Sequence, residues 1–464
     1  MRQLRNPSYY AIPGGPTTAR QSCRRLYGGG NPWFPNMLSC LEIRCPRTLP
    51  TRATQPTVRR VNSRVGLLVL AVGVAAGCAT THPAQKSGGT VPSAPLVAGL
   101  ADSLTAILSA GVRDSAFPGA IAVVGDRTGA VVTSSAGHLD WAPSPTPDES
   151  TLWDLASLTK VVGLTSAMML LVESHAVDLD APVHRYVPEF RGQWKDAVTV
   201  RHLLTHSSGL PAWRPLYKEA DSPAAAMALA IATPLDTLPG VRMVYSDLGA
   251  IILGEIVTRV TGQPFDRFLQ ERVFTPLGMR ETFYRPAPAL MDRIAPTEID
   301  PWRQRHLRGE VHDENAFALG GISSHAGLFS TSRDLVRLAR MYLGDGALDG
   351  HRFLSPSTIR QFTTVQDSTL SHRALGWETP NGSNSAGHLM SKRAFGHTGF
   401  TGTSIWMDLD RGVFVLLLTN RVNPTREHRA IGAIRIAVAD AALGYWVRGS
   451  GTGYEGRGTG DPVP

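Results

Sequence analysis

The first part of the chain with regular apolar spacing predicts a helix followed by a hairpin. Apolar residues recur every three or four positions over 96–112, which is typical of an amphipathic helix. Two short runs rich in β-branched and small residues follow, at 119–125 and 130–135. The residues between them, Asp126-Arg127-Thr128-Gly129, have the composition of a tight turn. These runs therefore predict two paired strands.

The last part of the chain repeats this pattern in reverse order. The runs 402–409 and 412–419 flank Asp410-Arg411 and predict a second hairpin, and a final helix is expected from about 427 to 445. The segment from about 160 to 320 favours helices and has no strand pattern as clear as those at the ends.

We therefore predict an α+β fold over 96–446. One antiparallel sheet comes from about 96–150 and 390–446, N- and C-terminal helices flank it, and a mostly helical domain is inserted between the two halves.

Charge is unevenly distributed along the chain of 464 residues, whose formal net charge is +8. Residues 1–64 contain 11 arginines, no lysine and one acid, which gives +10, so the remainder carries −2. A nearly neutral body does not favour binding to nucleic acid. All four cysteines lie within the first 78 residues, so the body has no disulfide, thiolate nucleophile or cysteine metal site.

Residues 61–78 have the organisation of a secretory signal. A basic head precedes the apolar core 65–74, and Ala75-Ala76-Gly77 leads into Cys78. This ending resembles a bacterial lipobox, which implies that Cys78 is lipidated and anchors an exported, periplasmic or cell-envelope protein to a membrane. We expect the true translation start to lie further along the chain, so that residues 1–60 are a mis-assigned N-terminal extension. We expect residues 79–95 to form a linker and residues 447–464 to form a flexible tail.

Ser157 and Lys160 are the first candidates for chemistry. They lie three positions apart, so they share one face if the surrounding apolar run is helical. The chain has only five lysines and otherwise uses arginine, which cannot be deprotonated in a protein. A lysine in an apolar helix therefore suggests a need for a free amine, although a lysine on a surface helix remains the alternative. Asp154 is placed to cap the incoming turn.

Several stretches together resemble the serine β-lactamase and penicillin-binding-protein-like hydrolases, in their class C, DD-peptidase and carboxylesterase branch. The resemblance rests on Ala156-Ser157-Leu158-Thr159-Lys160, Leu203-Leu204-Thr205-His206-Ser207-Ser208-Gly209-Leu210-Pro211, Tyr245-Ser246-Asp247, Gly320-Gly321 leading to Ser330-Thr331-Ser332-Arg333-Asp334-Leu335, and His397-Thr398-Gly399. The resemblance covers roughly residues 96–446, and it implies a β-lactamase/transpeptidase-like fold.

The resemblance also implies a role for each matching residue. Ser157 would attack a carbonyl carbon and become acylated, and Lys160 with Tyr245 would move its proton. The backbone N–H groups of Ser157 and Phe400 would form the oxyanion hole. Substrate binding is expected of Asp247, His397, Thr398 and Gly399. No metal or organic cofactor is implied, and we expect a monomer.

Two positions depart from the family pattern. Asp247 stands where the family often has Asn, and an ionised carboxylate there is expected to be a counter-charge that raises the pKa of Lys160. His397 stands where lysine is commoner, so a fixed cation for a substrate carboxylate becomes one that titrates. This departure makes dedicated β-lactam hydrolysis less expected.

We therefore predict a serine hydrolase that cleaves an amide or ester through an acyl-enzyme on Ser157. The most plausible substrates are D-alanyl peptide ends of peptidoglycan or related small acyl compounds, as in a D-alanyl-D-alanine carboxypeptidase. A carboxylesterase of the same fold and a non-catalytic envelope binding or penicillin-sensor protein remain open. An α/β-hydrolase is excluded because the sequence contains no G-x-S-x-G.

Overall fold

The computed structural model of this protein describes residues 94–449. The predicted extension 1–60, the signal 61–78 and the lipidation of Cys78 lie outside these residues and stay predictions. Helices include residues 94–95 of the predicted linker and 447–449 of the predicted tail. The rest of both segments lies outside the described residues.

Residues 94–449 contain twelve strands. In chain order they are β1 Gly119–Asp126, β2 Gly129–Gly137, β3 Trp153–Asp154, β4 Phe283–Tyr284, β5 Ile299–Asp300, β6 Arg305–His306, β7 Leu328–Ser330, β8 Ala347–Leu348, β9 His351–Arg352, β10 Ala394–Thr398, β11 Ser404–Asp408 and β12 Val413–Thr419.

The main sheet is antiparallel and joins the two ends of the described chain. Its strand order is β10-β11-β12-β1-β2, so both predicted hairpins lie in one sheet and meet where β1 pairs with β12. Within that pair, Ile121 lies opposite Leu418 and Val123 opposite Leu416. The predicted α+β fold is confirmed, and the two predicted hairpins do form one antiparallel sheet. Residues 94–449 also contain three smaller sheets that were not predicted, with strand orders β3-β7-β4, β5-β6 and β8-β9.

Every residue of β1 is buried, because helices cover both faces of the sheet. Ile121 and Val123 belong to the large core that includes the inserted segment. The alternate residues Ala120, Ala122 and Val124 belong to a second core beneath the terminal helices. The period of two along the strand thus divides its side chains between two cores.

The same residues contain twelve α-helices. They are α1 Ala94–Arg113, α2 Thr165–Glu173, α3 Val200–Leu204, α4 Leu216–Glu219, α5 Pro223–Ala232, α6 Asp247–Thr261, α7 Phe265–Leu269, α8 Thr275–Leu277, α9 Glu314–Ala318, α10 Ser332–Leu343, α11 Pro356–Thr363 and α12 Ile431–Gly449. A π-helical segment, Lys160–Leu164, leads directly into α2.

Among the described helices, only α1 is long and apolar enough to cross a membrane, judged by length and composition alone. In the fold, its residues Leu100, Leu104 and Leu108 are buried in the second core beside α12 and β2. The apolar stripe that predicts this helix is therefore its packing face.

Thr331 caps α10, because its hydroxyl accepts the N–H of Asp334. The predicted start of the last helix is wrong by a small amount. The last helix begins at Ile431 rather than near 427, because the Arg421 guanidinium holds the carbonyl oxygens of Arg426 and His428 in the preceding loop.

Candidate active site

Ser157 lies in the sharp turn between β3 and the helical segment that begins at residue 158 and continues into α2. The Asp154 carboxylate, at the end of β3, accepts hydrogen bonds from the backbone N–H groups of Ala156 at 2.8 Å and His312 at 2.7 Å. Ala156 has a left-handed backbone with a φ of 45°, a conformation that costs a non-glycine residue roughly 1–2 kcal/mol. The surrounding contacts thus hold a strained turn at the residue before the nucleophile candidate.

Lys160 lies one helical turn beyond Ser157 and is 3% exposed. Its Nζ lies 2.9 Å from Ser157 Oγ, 2.9 Å from the carbonyl oxygen of His325 and 2.7 Å from Asp247 Oδ1. The spacing of three in the sequence therefore places the hydroxyl and the amine in hydrogen-bond contact.

The amine of Lys160 is held in its charged form. Burial opposes the charge, but the nearby Asp247 carboxylate outweighs burial and raises the pKa of Lys160 above its ordinary value. The resting side chain is therefore an ammonium ion at neutral pH. The ion pair with Asp247 is the counter-charge that the departure from the family pattern indicates.

Tyr245 reaches the same point from the inserted segment. It directly precedes α6, whose first turn is capped by the hydroxyl of Ser246. The centre of its ring lies 5.0 Å from Lys160 Nζ, and its ring also contacts His206 at 4.5 Å and His397 at 5.8 Å. The Tyr245 hydroxyl is buried and has no hydrogen-bond partner among residues 94–449. It is thus free to take part in proton movement.

The turn after β10 brings a second backbone donor to Ser157. The side chains of Thr401 and Thr403 donate hydrogen bonds to the carbonyl oxygens of Asp154 and Leu155 at 2.7 and 3.0 Å, which fix this turn against the nucleophile segment. Neither the Ser157 nor the Phe400 backbone N–H donates a hydrogen bond to any described residue. Both groups are therefore available to an oxyanion.

His397 is neutral, which corrects the prediction of a cation that titrates near neutral pH. It is 1% exposed, and burial together with the positive charges of Arg373 and Lys160 lowers its pKa well below the ordinary value. Its Nδ1 lies 2.8 Å from the carbonyl oxygen of Thr398, which can only accept a hydrogen bond. The tautomer with hydrogen on Nδ1 therefore fits this contact.

Arg373 supplies the cation that His397 does not. Only 8% of Arg373 is exposed, its Nη2 donates to Glu378 at 2.8 Å, and its Nη1 is buried with no hydrogen-bond partner in the described structure. The guanidinium lies 5.1 Å from the centre of the Tyr245 ring. Sequence reasoning missed Arg373, because no motif or spacing links residue 373 to the catalytic segments.

A second unpartnered arginine donor comes from α12. Arg435 Nη2 donates to the carbonyl oxygens of Gly399 and Thr403 at 2.6 and 2.9 Å, whereas its Nε is buried and has no partner among residues 94–449. Burial and the nearby charge of Arg421 lower the pKa of Arg435 to about 10. This guanidinium is therefore poorly compensated and favours an anionic partner.

These groups line one cavity of about 320 Å³. Its wall includes Ser157, Tyr245, Arg373, His397, Phe400 and Arg435, with Thr398 and Gly399 between them. The structure therefore brings together most of the residues that the sequence singles out. Asp247, expected to bind substrate, lies against Lys160 and is not among the residues that line this cavity.

Behind Lys160 lies a pair formed by Asp313 and His325. His325 Nε2 lies 2.9 Å from Asp313 Oδ1, and its Nδ1 lies 2.7 Å from the hydroxyl of Ser323. Asp247, Asp313 and His325 bring three possible ligand atoms within 4.8 Å of one another. The ammonium of Lys160 is bonded to Asp247 in the same place, so the protein supplies the positive charge itself.

Comparison with known proteins decides the family. A profile of the family described as Beta-lactamase matches residues 104–439. The chain belongs to this family. The prediction from the five motifs is confirmed, and the chain is a serine hydrolase with the β-lactamase fold.

Individual relatives have related names. A "Putative D-alanyl-D-alanine carboxypeptidase" of Salmonella agona (strain SL483) is 31% identical over 309 residues, which is 59% of this chain and 70% of that protein.

Solved structures show the same fold. EstCE1, a hydrolase with promiscuous acyltransferase activity, has a TM-score of 0.61 and 20% identity, and the match covers 75% of this chain and 99% of that one. A penicillin-binding protein homologue from Caulobacter crescentus has a TM-score of 0.61 and 21% identity over 75% and 97% of the two chains.

Proposed function

We propose that this hydrolase is a carboxypeptidase of the D-alanyl-D-alanine type, which removes the last residue of a peptide that ends in a free carboxylate. The unpartnered Nη1 of Arg373 carries this proposal, because it is a buried cationic donor in the same cavity as Ser157. A carboxylate is the group that a guanidinium binds best, through charge-assisted hydrogen bonds.

Arg435 supports the same choice of substrate. Its Nε gives the cavity a second donor that lacks a partner. A neutral ester would leave Arg373 Nη1 and Arg435 Nε without hydrogen-bond partners, and buried donors of this kind discriminate against substrates that cannot accept their hydrogen bonds. A peptide with a terminal carboxylate would satisfy both.

The reaction would proceed through an acyl-enzyme. The Ser157 hydroxyl attacks the peptide carbonyl carbon and gives its proton to the neutral form of Lys160, while the carbonyl oxygen becomes negative between the N–H groups of Ser157 and Phe400. The Tyr245 hydroxyl gives a proton to the leaving nitrogen and receives one from Lys160 as the C–N bond breaks. Water then attacks the ester and releases Ser157.

Comparison of four substrates tests the proposal. An N-acylated D-alanyl-D-alanine peptide is expected to react with a kcat/KM at least about tenfold above that of its C-terminal amide, which equals roughly 1.4 kcal/mol of discrimination. The ester p-nitrophenyl butyrate and the β-lactam nitrocefin are expected to be poorer substrates than the peptide.

The variant Arg373→Gln links this preference to the residue. It is expected to raise KM for the free peptide and to remove most of the discrimination against the amide. A carboxylesterase would instead hydrolyse the ester fastest and show no dependence on a terminal carboxylate. A non-catalytic envelope protein would turn over none of the four.

A further inference from the structure

The cavity beside Ser157 contains more positive charge than one substrate carboxylate neutralises. Arg373, Arg421 and Arg435 line it together with one carboxylate, that of Glu378. Glu378 pairs with Arg373, whereas neither Arg421 nor Arg435 bonds to a carboxylate in the described part of the chain. Three cations against one anion give the cavity wall a formal charge of +2. A single terminal carboxylate leaves one of these positive charges uncompensated.

Main-chain carbonyl oxygens hold the two guanidinium groups that lack a carboxylate partner. Arg421 donates through Nε to the carbonyl oxygen of Phe400 at 2.7 Å and through Nη1 to two carbonyl oxygens of the loop before α12. Arg435 donates through Nη2 to two carbonyl oxygens of the turn after β10, and its Nε is buried without a partner among residues 94–449. Carbonyl dipoles orient a guanidinium but carry no net charge, so both cations favour an anionic ligand.

The acids that act on Arg421 from nearby have other partners. Glu298 pairs with Arg426, and the exposed Glu427 lies 3.5 Å from Arg429. Burial and the positive charge of Arg429 lower the pKa of Arg421 below its ordinary value, but arginine stays protonated in proteins. The cavity therefore keeps a cation for which residues 94–449 supply no bonded counter-ion.

The cavity also has room for a side chain larger than a methyl group. Its volume of about 320 Å³ lies within the range of small-ligand sites. Ile431 and the exposed Phe400 ring add apolar surface to the wall, and this ring lies 4.4 Å from the Arg421 guanidinium. Methylene groups pack against such a surface while a carboxylate at their end reaches the guanidinium. These are the features of an acidic amino-acid side chain.

We infer that this cavity binds a second carboxylate, so that the enzyme prefers peptides whose last residue has an acidic side chain, such as D-glutamate. The inference rests on the proposed function, in which Arg373 and Arg435 bind the terminal carboxylate. The side-chain carboxylate then pairs with Arg421 and neutralises the remaining charge. The bonds made and broken are those of the proposed hydrolysis: water adds across the peptide bond, and the acidic amino acid leaves with its amine and both carboxylates.

Four peptides test the inference and the proposed function separately. Three are N-acylated D-alanyl peptides that end in D-glutamate, D-glutamine or D-alanine, and the fourth is the C-terminal amide of the D-alanine peptide. D-glutamine has the shape of D-glutamate without the charge. The kcat/KM of the D-glutamate peptide is therefore expected to exceed that of the D-glutamine peptide by at least about tenfold. The D-alanine peptide and its amide differ only at the terminal carboxylate and report on the proposed function.

Arg421→Gln links the preference to one side chain. This variant is expected to lose overall activity, because Arg421 also holds the carbonyl oxygen of Phe400. The ratio of kcat/KM between the D-glutamate and D-glutamine peptides cancels that general loss, and we expect the ratio to fall to about one. Arg429→Gln removes a charge that acts on Arg421 from a side chain that is 83% exposed, and its ratio should match that of the wild type. An unchanged ratio in Arg421→Gln would contradict the assignment.

Binding of the released amino acid gives a readout that needs no turnover. D-glutamate is expected to raise the melting temperature of the Ser157→Ala protein, and D-glutamine at the same concentration should raise it much less. Equal kcat/KM for the D-glutamate and D-glutamine peptides, or equal melting temperatures with the two amino acids, would overturn the inference. The proposed function would still stand if the D-alanine peptide reacted faster than its amide. It would fail if these two reacted equally or if no peptide reacted with the folded protein.

Discussion

At the scale of single residues, the site depends on groups whose partners are incomplete. Lys160 donates a hydrogen bond to Ser157 and forms an ion pair with Asp247. The Tyr245 hydroxyl, Arg373 Nη1, Arg435 Nε and His397 Nε2 instead end in buried space with no hydrogen-bond partner in the described part of the chain. Buried polar atoms without partners cost free energy in the empty site, and a bound substrate could recover that cost.

Tyr245→Phe tests one of these groups alone. The variant keeps the ring that packs against His206 and His397 but removes the hydroxyl. We expect kcat for the peptide to fall roughly 100-fold to 10,000-fold, because a general acid and base is lost, whereas KM should change little. Tyr217→Phe, in a ring that packs against Trp302, provides the control. An unchanged kcat for Tyr245→Phe would exclude a role in proton transfer.

At the scale of elements, the catalytic groups come from segments that are far apart in sequence and meet at the edge of the main sheet. Ser157 and Lys160 lie at the start of the helical segment that continues into α2. Tyr245 precedes α6, and the turn after β10 carries the Phe400 N–H. Side-chain hydrogen bonds from Thr401 and Thr403 to the carbonyl oxygens of Asp154 and Leu155 hold the turn with Phe400 against the Ser157 segment, and so fix the relative position of the two proposed oxyanion donors.

Gly399→Ala tests this junction. A Cβ at Gly399 would lie 2.1 Å from Thr403 Oγ1 and 2.4 Å from the carbonyl oxygen of Leu155, so the turn would have to move. We expect kcat to fall by roughly two to three orders of magnitude, as when one oxyanion donor is lost. Gly432→Ala, in open space on α12, should behave as the parent. Full activity in Gly399→Ala would show that the turn does not hold a catalytic donor.

The sequence predicts those elements whose pattern lies within one continuous segment, and it does not predict contacts that form only when distant segments pack together. Strand alternation predicts both hairpins, and the spacing of three predicts the contact between Ser157 and Lys160. Arg373 and the pair Asp313–His325 could not be predicted, because their places in the site arise from tertiary packing of loops. The neutral state of His397 likewise follows from burial and from Arg373, neither of which leaves a pattern in the sequence.

At the scale of the whole molecule, one buried ionic network joins the inserted segment to the loop before α12. Glu298 is 3% exposed. One of its oxygens lies 2.9 Å from His312 Nε2, and Arg426 pairs with both Glu298 and Glu314. His312 also packs against the Phe400 ring at 5.7 Å. The network therefore stabilises the region behind the oxyanion turn.

This network should make the fold sensitive to acid. Burial would raise the pKa of Glu298, but hydrogen bonds with His312 and Arg426 outweigh it and lower the pKa from 4.5 to about 2. The folded state thus prefers the carboxylate. Its stabilisation is complete above pH 4.5, is lost as pH falls toward 2, and is on the order of 3 kcal/mol.

Urea unfolding of Glu298→Gln at several pH values measures this contribution. The free energy of unfolding should lie well below that of the wild type at neutral pH, and the difference should shrink as pH falls from 4.5 toward 2. Glu271→Gln, which removes an exposed carboxylate paired with Arg267, is the control and should unfold as the wild type does. A difference that stays constant with pH would contradict the assignment.

The central claim is that Ser157 becomes acylated. Intact-mass spectrometry after incubation with a fluorophosphonate, followed by peptide mapping, tests it most directly. We expect one adduct per chain, on the peptide that contains Ser157, and none in Ser157→Ala. An adduct on a different residue, or no adduct on folded protein, would contradict the account.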